Sequence, residues 1–304
     1  MSIFITGASG LIGSHLCRKL VLQDYDVVGL VHHRINPALD FLLERENFNI
    51  CVGDIRNEPF IERVIEHYGV KTVFHVAALL PYTTNNDLFG VNVGGTLSLL
   101  RVIRETNVKH FIYASTMGVY SDPPNYLPVD EVHPARPTTM YGVSKLASEV
   151  LCGYYRKSMA VVVLRYAGVY GMSSEKNRVV NKFIRCALSN QPLIVDGDGS
   201  HGSDFTYVED IVQGTIGAWN REISDVYNIG SGQDSSLKEL AELIIELTNS
   251  KSEILFNGCK STRPFRFYLD IAKAKRELGY RPHLLKDGLT LYIQQWEIAN
   301  GRTS

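Results

Sequence analysis

Through the first 170 positions of this chain, short apolar runs alternate with longer stretches whose apolar residues recur every three or four positions. The runs at 2–6, 26–31, 48–52, 72–76, 109–114 and 160–165 are rich in Val, Ile and Phe. Continuous apolar character of that kind predicts strands buried on both faces. The stretches 12–23, 58–68, 91–106 and 141–157 carry helical periodicity. Strands alternating with helices predict right-handed crossovers and a parallel sheet covered on both sides.

After about residue 170 the rhythm changes. Residues 196–204 read as a turn-rich loop, and Ser236 with Glu239 has the spacing of a capping box. That box opens a helix over 236–248, in which Leu237, Leu240, Ile244 and Leu247 form a stripe that predicts core packing. Asp270 is placed to cap a last helix that Gly279 closes, and Trp219 and Trp296 are expected to anchor packing.

Composition narrows the possibilities. With 304 residues, 45% of them hydrophobic, the chain can bury a substantial core unaided. A formal net charge of -1 gives no long-range field for nucleic acid or an anionic membrane, so neither is expected as a partner. No apolar run reaches the length that spans a bilayer, and residues 2–6 read as a first strand, not as a secretion leader. Cys17, Cys51, Cys152, Cys186 and Cys259 are odd in number, scattered and without a C-x-x-C pair. They read as small core residues of a reducing compartment, with no disulfide frame and no metal site, so a cytoplasmic location is expected.

The first chemical motif is Gly7-Ala8-Ser9-Gly10-Leu11-Ile12-Gly13, directly after the first strand and opening a helix. Gly7 permits the tight turn, Gly10 lets backbone approach a pyrophosphate, and Gly13 lets helix and strand pack closely. The helix start at Leu11, Ile12 and Gly13 offers free amides and a positive dipole end to phosphate. Such a turn in an alternating chain predicts a dinucleotide site. A carboxylate at the end of the second strand would read the ribose 2′-hydroxyl of NAD, and a cation there would favour NADP. The sequence offers His32, His33 and Arg34, with no acid between Asp26 and Asp40, so NADP is expected over NAD.

The second motif is Tyr141-Gly142-Val143-Ser144-Lys145, a phenol and an ammonium four apart on one helix face. Phenols ionise near pH ~10, and a neighbouring ammonium favours the phenolate. Lys145 can also hold the cofactor ribose. Twenty-five residues before Tyr141, the strand 109–114 runs into Ser115 and Thr116. Thr116 then sits beyond the carboxyl end of a parallel strand, where ligands bind, with a hydroxyl able to share a proton. A glycine turn, a Ser-Thr pair after a strand and Tyr-x-x-x-Lys on a helix are far more specific in that order than singly.

With these motifs the chain resembles the extended short-chain dehydrogenase/reductase family, in particular its NAD(P)-dependent nucleotide-sugar epimerases, dehydratases and ketoreductases. The resemblance extends through Gly53-Asp54-Ile55, Phe74-His75-Val76-Ala77-Ala78, Asn92 with Gly95-Thr96, and Arg165-Tyr166-Ala167-Gly168-Val169-Tyr170-Gly171. It continues in Asp204-Phe205-Thr206-Tyr207-Val208-Glu209-Asp210 and Tyr227-Asn228-Ile229-Gly230. It implies a Rossmann-like doubly wound sheet over 1–170, with a returning strand near 226–230, and a smaller α/β substrate domain over 171–304. By the same likeness Asp54 and Ile55 border the adenine, Ala77 and Ala78 line the cofactor cleft, Asn92 lies near the nicotinamide half, and Ala167 touches the cofactor. A homodimer through a helix bundle is implied as well.

The resemblance further implies an epimerase that removes hydride from a ring carbon, C4, while Tyr141 takes the hydroxyl proton, and then returns hydride to the other face. The alternative is an NADPH-dependent ketoreductase of a nucleotide-linked or free keto-sugar. Similar dehydratases carry acid and base groups just after the threonine, where this chain has Met117 and Gly118, which argues against dehydration. Similar nucleotide-sugar enzymes place an arginine before Asp-Phe, where this chain has Ser203, and often an asparagine at Gly168. Arg178, Lys182, Arg263 and Arg266 are the candidates to replace the lost diphosphate clamp, because guanidinium–phosphate pairing is strong and geometric. A non-catalytic NADP-binding redox sensor would have no use for Thr116, Tyr141 and Lys145 together.

Overall fold

A computed structural model describes residues 1–33, 35–80, 87–172, 178–258, 266–299 and 301. In chain order its first elements are β1 (Ser2–Thr6), α1 (Leu11–Val21), β2 (Asp26–Val31), β3 (Phe48–Val52), α2 (Glu58–His67) and β4 (Val70–His75). Next come α3 (Gly95–Arg104), β5 (His110–Thr116), α4 (Met140–Tyr155), β6 (Ala160–Tyr166), β7 (Gly168–Tyr170) and α5 (Val179–Leu188). They are followed by β8 (Leu193–Val195), β9 (Gly202–Ser203), β10 (Phe205–Tyr207), α6 (Val208–Trp219), β11 (Asp225–Ile229) and β12 (Ser235–Ser236). The last are α7 (Leu237–Leu247), β13 (Ile254–Phe256), β14 (Arg266–Phe267), α8 (Ala272–Leu278) and α9 (Leu285–Ala299).

Seven strands form one sheet in the order β11-β6-β5-β4-β1-β2-β3. Every pairing from β3 across to β6 is parallel. The order reverses between β1 and β4, which opens a crevice at the carboxyl ends of the strands. This is a Rossmann-like doubly wound sheet, as the alternation of runs predicts. Phe4, Val73, Phe111 and Val161, one from each of four neighbouring strands, are fully buried with Leu99, Leu100 and Ile103 of α3. Each such side chain contributes about 1.5–3 kcal/mol on burial, so the strands are fixed by their apolar content. Trp219 packs edge-on against Tyr25 and Phe74, an anchor as expected.

The chain forms two compact units. The first comprises Met1–Asp122, Val132–Tyr166 and Val212–Tyr227, and the second Pro123–Glu131, Ala167–Ile211 and Asn228–Ser304. The second unit is α/β on a smaller scale, with short sheets β10-β7, β12-β9-β14 and β13-β8. Its centre is Asp204, a buried carboxylate that accepts from the Ser231 amide and hydroxyl, the Gly232 and Leu269 amides and the Thr206 hydroxyl. The capping box is formed: Glu239 N donates to Ser236 Oγ at 3.1 Å and Ser236 N to Glu239 Oε2 at 2.7 Å. Asp270 Oδ1 accepts from Ala272 N at the start of α8, and Gly279 ends that helix at φ +64. Cys17, Cys51, Cys152 and Cys186 are free thiols, and Cys259 lies outside the described residues. Among the described residues no helix is long and apolar enough to cross a membrane.

One predicted helix is divided. Within 91–106, Gly90–Gly94 forms a π-helical turn before α3 begins. The Asn92 carbonyl is taken by two side-chain hydroxyls, Thr96 Oγ1 at 2.5 Å and Ser148 Oγ at 3.0 Å. Hydroxyls that compete with backbone amides for a carbonyl loosen a helical ladder, and π turns of this kind collect at functional sites.

Beside this turn His75 is fully buried, one nitrogen 2.8 Å from Thr6 Oγ1 and the other 2.9 Å from Thr96 Oγ1. Burial, reinforced by the charge of Lys145, pulls its pKa from the ordinary value down to about 3. Between pH ~6.5 and 3 the unfolded chain therefore binds a proton that the folded chain refuses, and stability falls with acidification by up to ~1.4 kcal/mol per pH unit from this group. His75→Gln removes the titration at the expense of two hydrogen bonds. Melting curves should show the variant below wild type at pH 7.5, with the gap closing toward pH 4. A constant gap would contradict the buried neutral imidazole.

Candidate active site

The glycine turn follows β1 directly. Gly7 has φ +70, a conformation that side chains resist, and a Cβ at Gly13 would collide with the Gly7 carbonyl. The turn closes with Gly10 N donating to Gly7 O at 2.9 Å, and α1 begins at Leu11 with no side-chain cap. The amides of Leu11, Ile12 and Gly13 are therefore left to an incoming anion. Ala77 packs against this turn, its amide donating to Thr6 Oγ1 at 3.1 Å, with Ala78 next in the same half-buried segment. A tight cradle where side chains cannot stand, at an uncapped helix start, fits a dinucleotide pyrophosphate.

At the end of β2, the His32 and His33 rings lie with centroids 3.6 Å apart, tilted 42° to each other. His32 Nε2 lies 3.7 Å from Asp54 Oδ2. Hydrogen bonding to Arg56 lowers the Asp54 pKa to about 2, and Arg56 is itself paired to Asp54 and Asp87. Ile55 is buried in the core of the first unit. Arg34 lies outside the described residues.

The Tyr-x-x-x-Lys motif lies in the first turns of α4. Thr139 Oγ1 accepts from Gly142 N at 3.1 Å and so caps the helix. A Cβ at Gly142 would collide with the Gly118 carbonyl, so the helix start presses directly on the turn Met117–Val119 that follows β5. Thr116, whose Oγ1 accepts from Gly118 N, leads into that turn, and Tyr141 directly precedes Gly142 in the helix start. One turn further, Lys145 is 2% exposed and its ammonium lies 4.2 Å from the centroid of the Tyr113 ring. Burial lowers its pKa to about 7, against the raising effect of Cys152 and Glu149. The amide of Asn92 is spent inside the protein: it accepts from Leu79 N at 2.7 Å and donates to Leu79 O and Ser144 Oγ. Asn92 thus braces the segment after β4 against α4.

The remaining predicted residues belong to the second unit. Ala167 N donates to Ile229 O and Gly168 N to Asp204 O. Arg178 donates to the Val169 carbonyl at 3.0 Å, and Arg266 pairs with Asp234 at 2.5 Å. Arg266 stands opposite Gly202 in the β14–β9 register, one strand away from Ser203. Arg263 lies outside the described residues. Val179, Lys182, Phe183, Ile194, Asp196 and Leu237 line a pocket in this unit. Sequence reasoning missed Tyr113, Glu149 and Arg165. Glu149 stands four and eight residues after Lys145 and Tyr141 on one helix face, and that spacing was the available signal.

A switch-point crevice, a phosphate cradle and a Tyr-x-x-x-Lys helix beside a strand-end threonine define a nicotinamide-dinucleotide enzyme. Residues 3–230 match the model of the NAD dependent epimerase/dehydratase family, and the chain belongs to that family. It is 33% identical, over 99% of its length and 100% of the relative's, to a protein of Methanocaldococcus jannaschii described as a putative UDP-glucose 4-epimerase. UDP-glucuronic acid 4-epimerase from Bacillus cereus, solved with UDP-glucuronic acid and NAD, is 30% identical with a TM-score of 0.85 over 97% of this chain and 100% of that one. UDP-glucose 4-epimerase from Thermotoga maritima, solved with UDP-glucose, is 28% identical with a TM-score of 0.89 over 99% and 100%.

The expectation of NADP is corrected to NAD by these relatives, several of which were solved with NAD. The structure supplies a physical reason. The cationic reading of the β2 end left out of account that Asp54, expected at the adenine, comes from beyond β3 and brings an ionised carboxylate to His32. With Asp54 and Asp87 both set against the one guanidinium of Arg56, acids offset the cationic character of this end, which removes the argument for a 2′-phosphate.

Lys145 yields a stability prediction. Between pH ~7 and ~10.5 the unfolded chain holds a proton more than the folded one, so stability rises with pH across that window. Lys145→Met keeps the volume and removes the buried charge. At pH 7 the cofactor-free variant should be more stable by on the order of 2 kcal/mol, with NAD affinity at least ~10-fold weaker. Calorimetry showing a less stable variant would contradict the reading.

Proposed function

We propose that the chain is an NAD-dependent epimerase that inverts the C4 hydroxyl of a uridine-diphosphate sugar. The observation that carries this reading is a buried Lys145 ammonium one helical turn after Tyr141 on α4, with no acid or base at Met117 or Gly118. The glycine cradle, the first-turn amides of α1 and Lys145 would hold NAD, which when bound supplies the acceptor and donor of hydride. Tyr141 takes the proton from the sugar hydroxyl as the carbon is oxidised, and gives it back as the inverted carbon is reduced. Lys145 favours the phenolate by its charge, and Thr116 hydrogen-bonds the sugar oxygen throughout. Dehydration requires a second acid–base pair at the neighbouring carbon, and neither Met117 nor Gly118 can carry a proton.

The uridine nucleotide is inferred from the relatives, whose names and bound ligands are UDP sugars. In the second unit, the pocket of Val179, Phe183, Ile194 and Leu237 offers apolar walls to a base, and Lys182 offers charge to a diphosphate. Arg178 and Arg266 are the described guanidinium candidates to stand in for the arginine missing at Ser203. The ketoreductase alternative rested on exchangeable NADPH, and it loses that support with the cofactor corrected to NAD.

We further infer a homodimer through α4. Met140, Val143, Ala147, Val150 and Tyr154 follow one another at spacings of three and four, and Met140, Val150 and Tyr154 are 65%, 69% and 74% exposed. Apolar residues in that spacing on a solvent face form a seam suited to a second helix.

Two outcomes follow. Tyr141→Phe should lower epimerase turnover by ~10²-fold or more with NAD affinity nearly intact, because only the proton carrier is lost. Binding titrations should show saturable UDP-sugar affinity well above that for guanosine or thymidine analogues. Near-normal turnover in the variant, or indifference to uridine, would reject the proposal. Sedimentation should find a dimer that Val150→Glu converts to monomer, and a monomeric wild type would remove the seam.

A further inference from the structure

Beneath the proton machinery lies an ion pair that the mechanism above does not use. Glu149 projects from the same face of α4 as Lys145, one turn on, and is buried. Arg165 of β6 grips its carboxylate with Nε at 3.1 Å and 3.3 Å and with a terminal nitrogen at 2.7 Å. Ser115 of β5, the neighbour of Thr116, donates its hydroxyl to the same carboxylate at 2.5 Å. The far side of the guanidinium rests 4.8 Å from the centre of the Tyr120 ring. Burying two charges is unfavourable unless geometry and further hydrogen bonds offset it, and this pair has both.

We propose that Glu149, held by Arg165 and Ser115, is a positioning residue that keeps Lys145 in its charged form for the cofactor and for Tyr141. The inference rests on the reading of Lys145 given above. The groups facing Lys145 leave Glu149 as its one source of negative charge among the described residues. On β5, the Tyr113 phenol is pushed well above its ordinary range by burial. On β4, His75 is neutral for the same reason. On α4, burial raises the Cys152 thiol so that it stays protonated, Tyr141 is the phenol to be activated, and Glu149 alone is a carboxylate. On β6, Arg165 is a like charge whose guanidinium is paired to the Glu149 carboxylate. Desolvation alone would strip Lys145 of its proton near neutrality, and an opposite charge one helical turn away resists that loss.

The test is the pH dependence of NAD affinity, followed by calorimetry on the cofactor-free protein, together with the pH dependence of kcat/KM. Glu149→Gln keeps one acceptor oxygen, which can serve Ser115 and Arg165 Nε, and removes the charge. The alkaline midpoint of both profiles should fall by about one pH unit or more, with NAD binding ~3- to 10-fold weaker at pH 7.5 and close to wild type at pH 6. Because this variant leaves Arg165 unpaired, the neutral Glu149→Gln/Arg165→Gln double variant serves as the second arm, since it buries no lone charge. Its midpoint should shift in the same direction by less. An unchanged midpoint in the double variant, even with a lower melting temperature, would overturn the proposal and leave the pair a structural brace. That result beside an inactive Tyr141→Phe would spare the functional reading, whereas a fully active Tyr141→Phe would remove the functional reading itself.

Discussion

The structure is organised around the burial of one ammonium. Lys145 stands under α4 against the face of Tyr113, and water does not solvate it. Everything near it makes that position tolerable or useful. The aromatic face attracts the cation, Glu149 follows it one turn on along α4, and His75 stays neutral between two threonines. A lysine held close to its titration point at neutral pH retains donors for a ribose and a charge that acts on a phenol. An ordinary surface lysine would bring the same groups through a screening solvent, where they would be worth far less.

The same helix serves several ends at once. Its start is capped by Thr139 and pressed on Gly118, two residues beyond Thr116. Its inner face carries Lys145 and Glu149, and Ser144 and Ser148 tie it to Asn92. Asn92 in turn holds Leu79, so the segment that borders the glycine turn and the helix that carries the phenol are linked through one buried amide. The π-helical turn at Gly90–Gly94 is the local consequence of that arrangement, because hydroxyls take the carbonyl that a regular ladder would use.

Much of this was legible in the sequence. Alternating runs located the strands of the large sheet, since strands buried on both faces must be apolar along their length. Local signals such as the capping box at Ser236 and the αL stop at Gly279 also hold, because each involves residues within one turn. The features that escaped are non-local. The cofactor preference was read from the end of β2 alone, while the carboxylate of Asp54, which approaches His32, arrives from beyond the neighbouring strand. The Glu149–Arg165 pair joins a helix to a strand sixteen residues away, and no local pattern announces which buried charges will meet. The π turn that divides the predicted helix 91–106 is contacted by Ser148, more than fifty residues distant.

The most direct measurement is the titration of Lys145 itself in the cofactor-free protein, by NMR of side-chain-labelled lysine assigned through Lys145→Met. A midpoint near 7 is expected, far from the other lysines and reflecting an ammonium removed from water. A midpoint in the ordinary lysine range, near ~10.4, would mean that the charge is solvated and that the account of the site built on its burial is wrong.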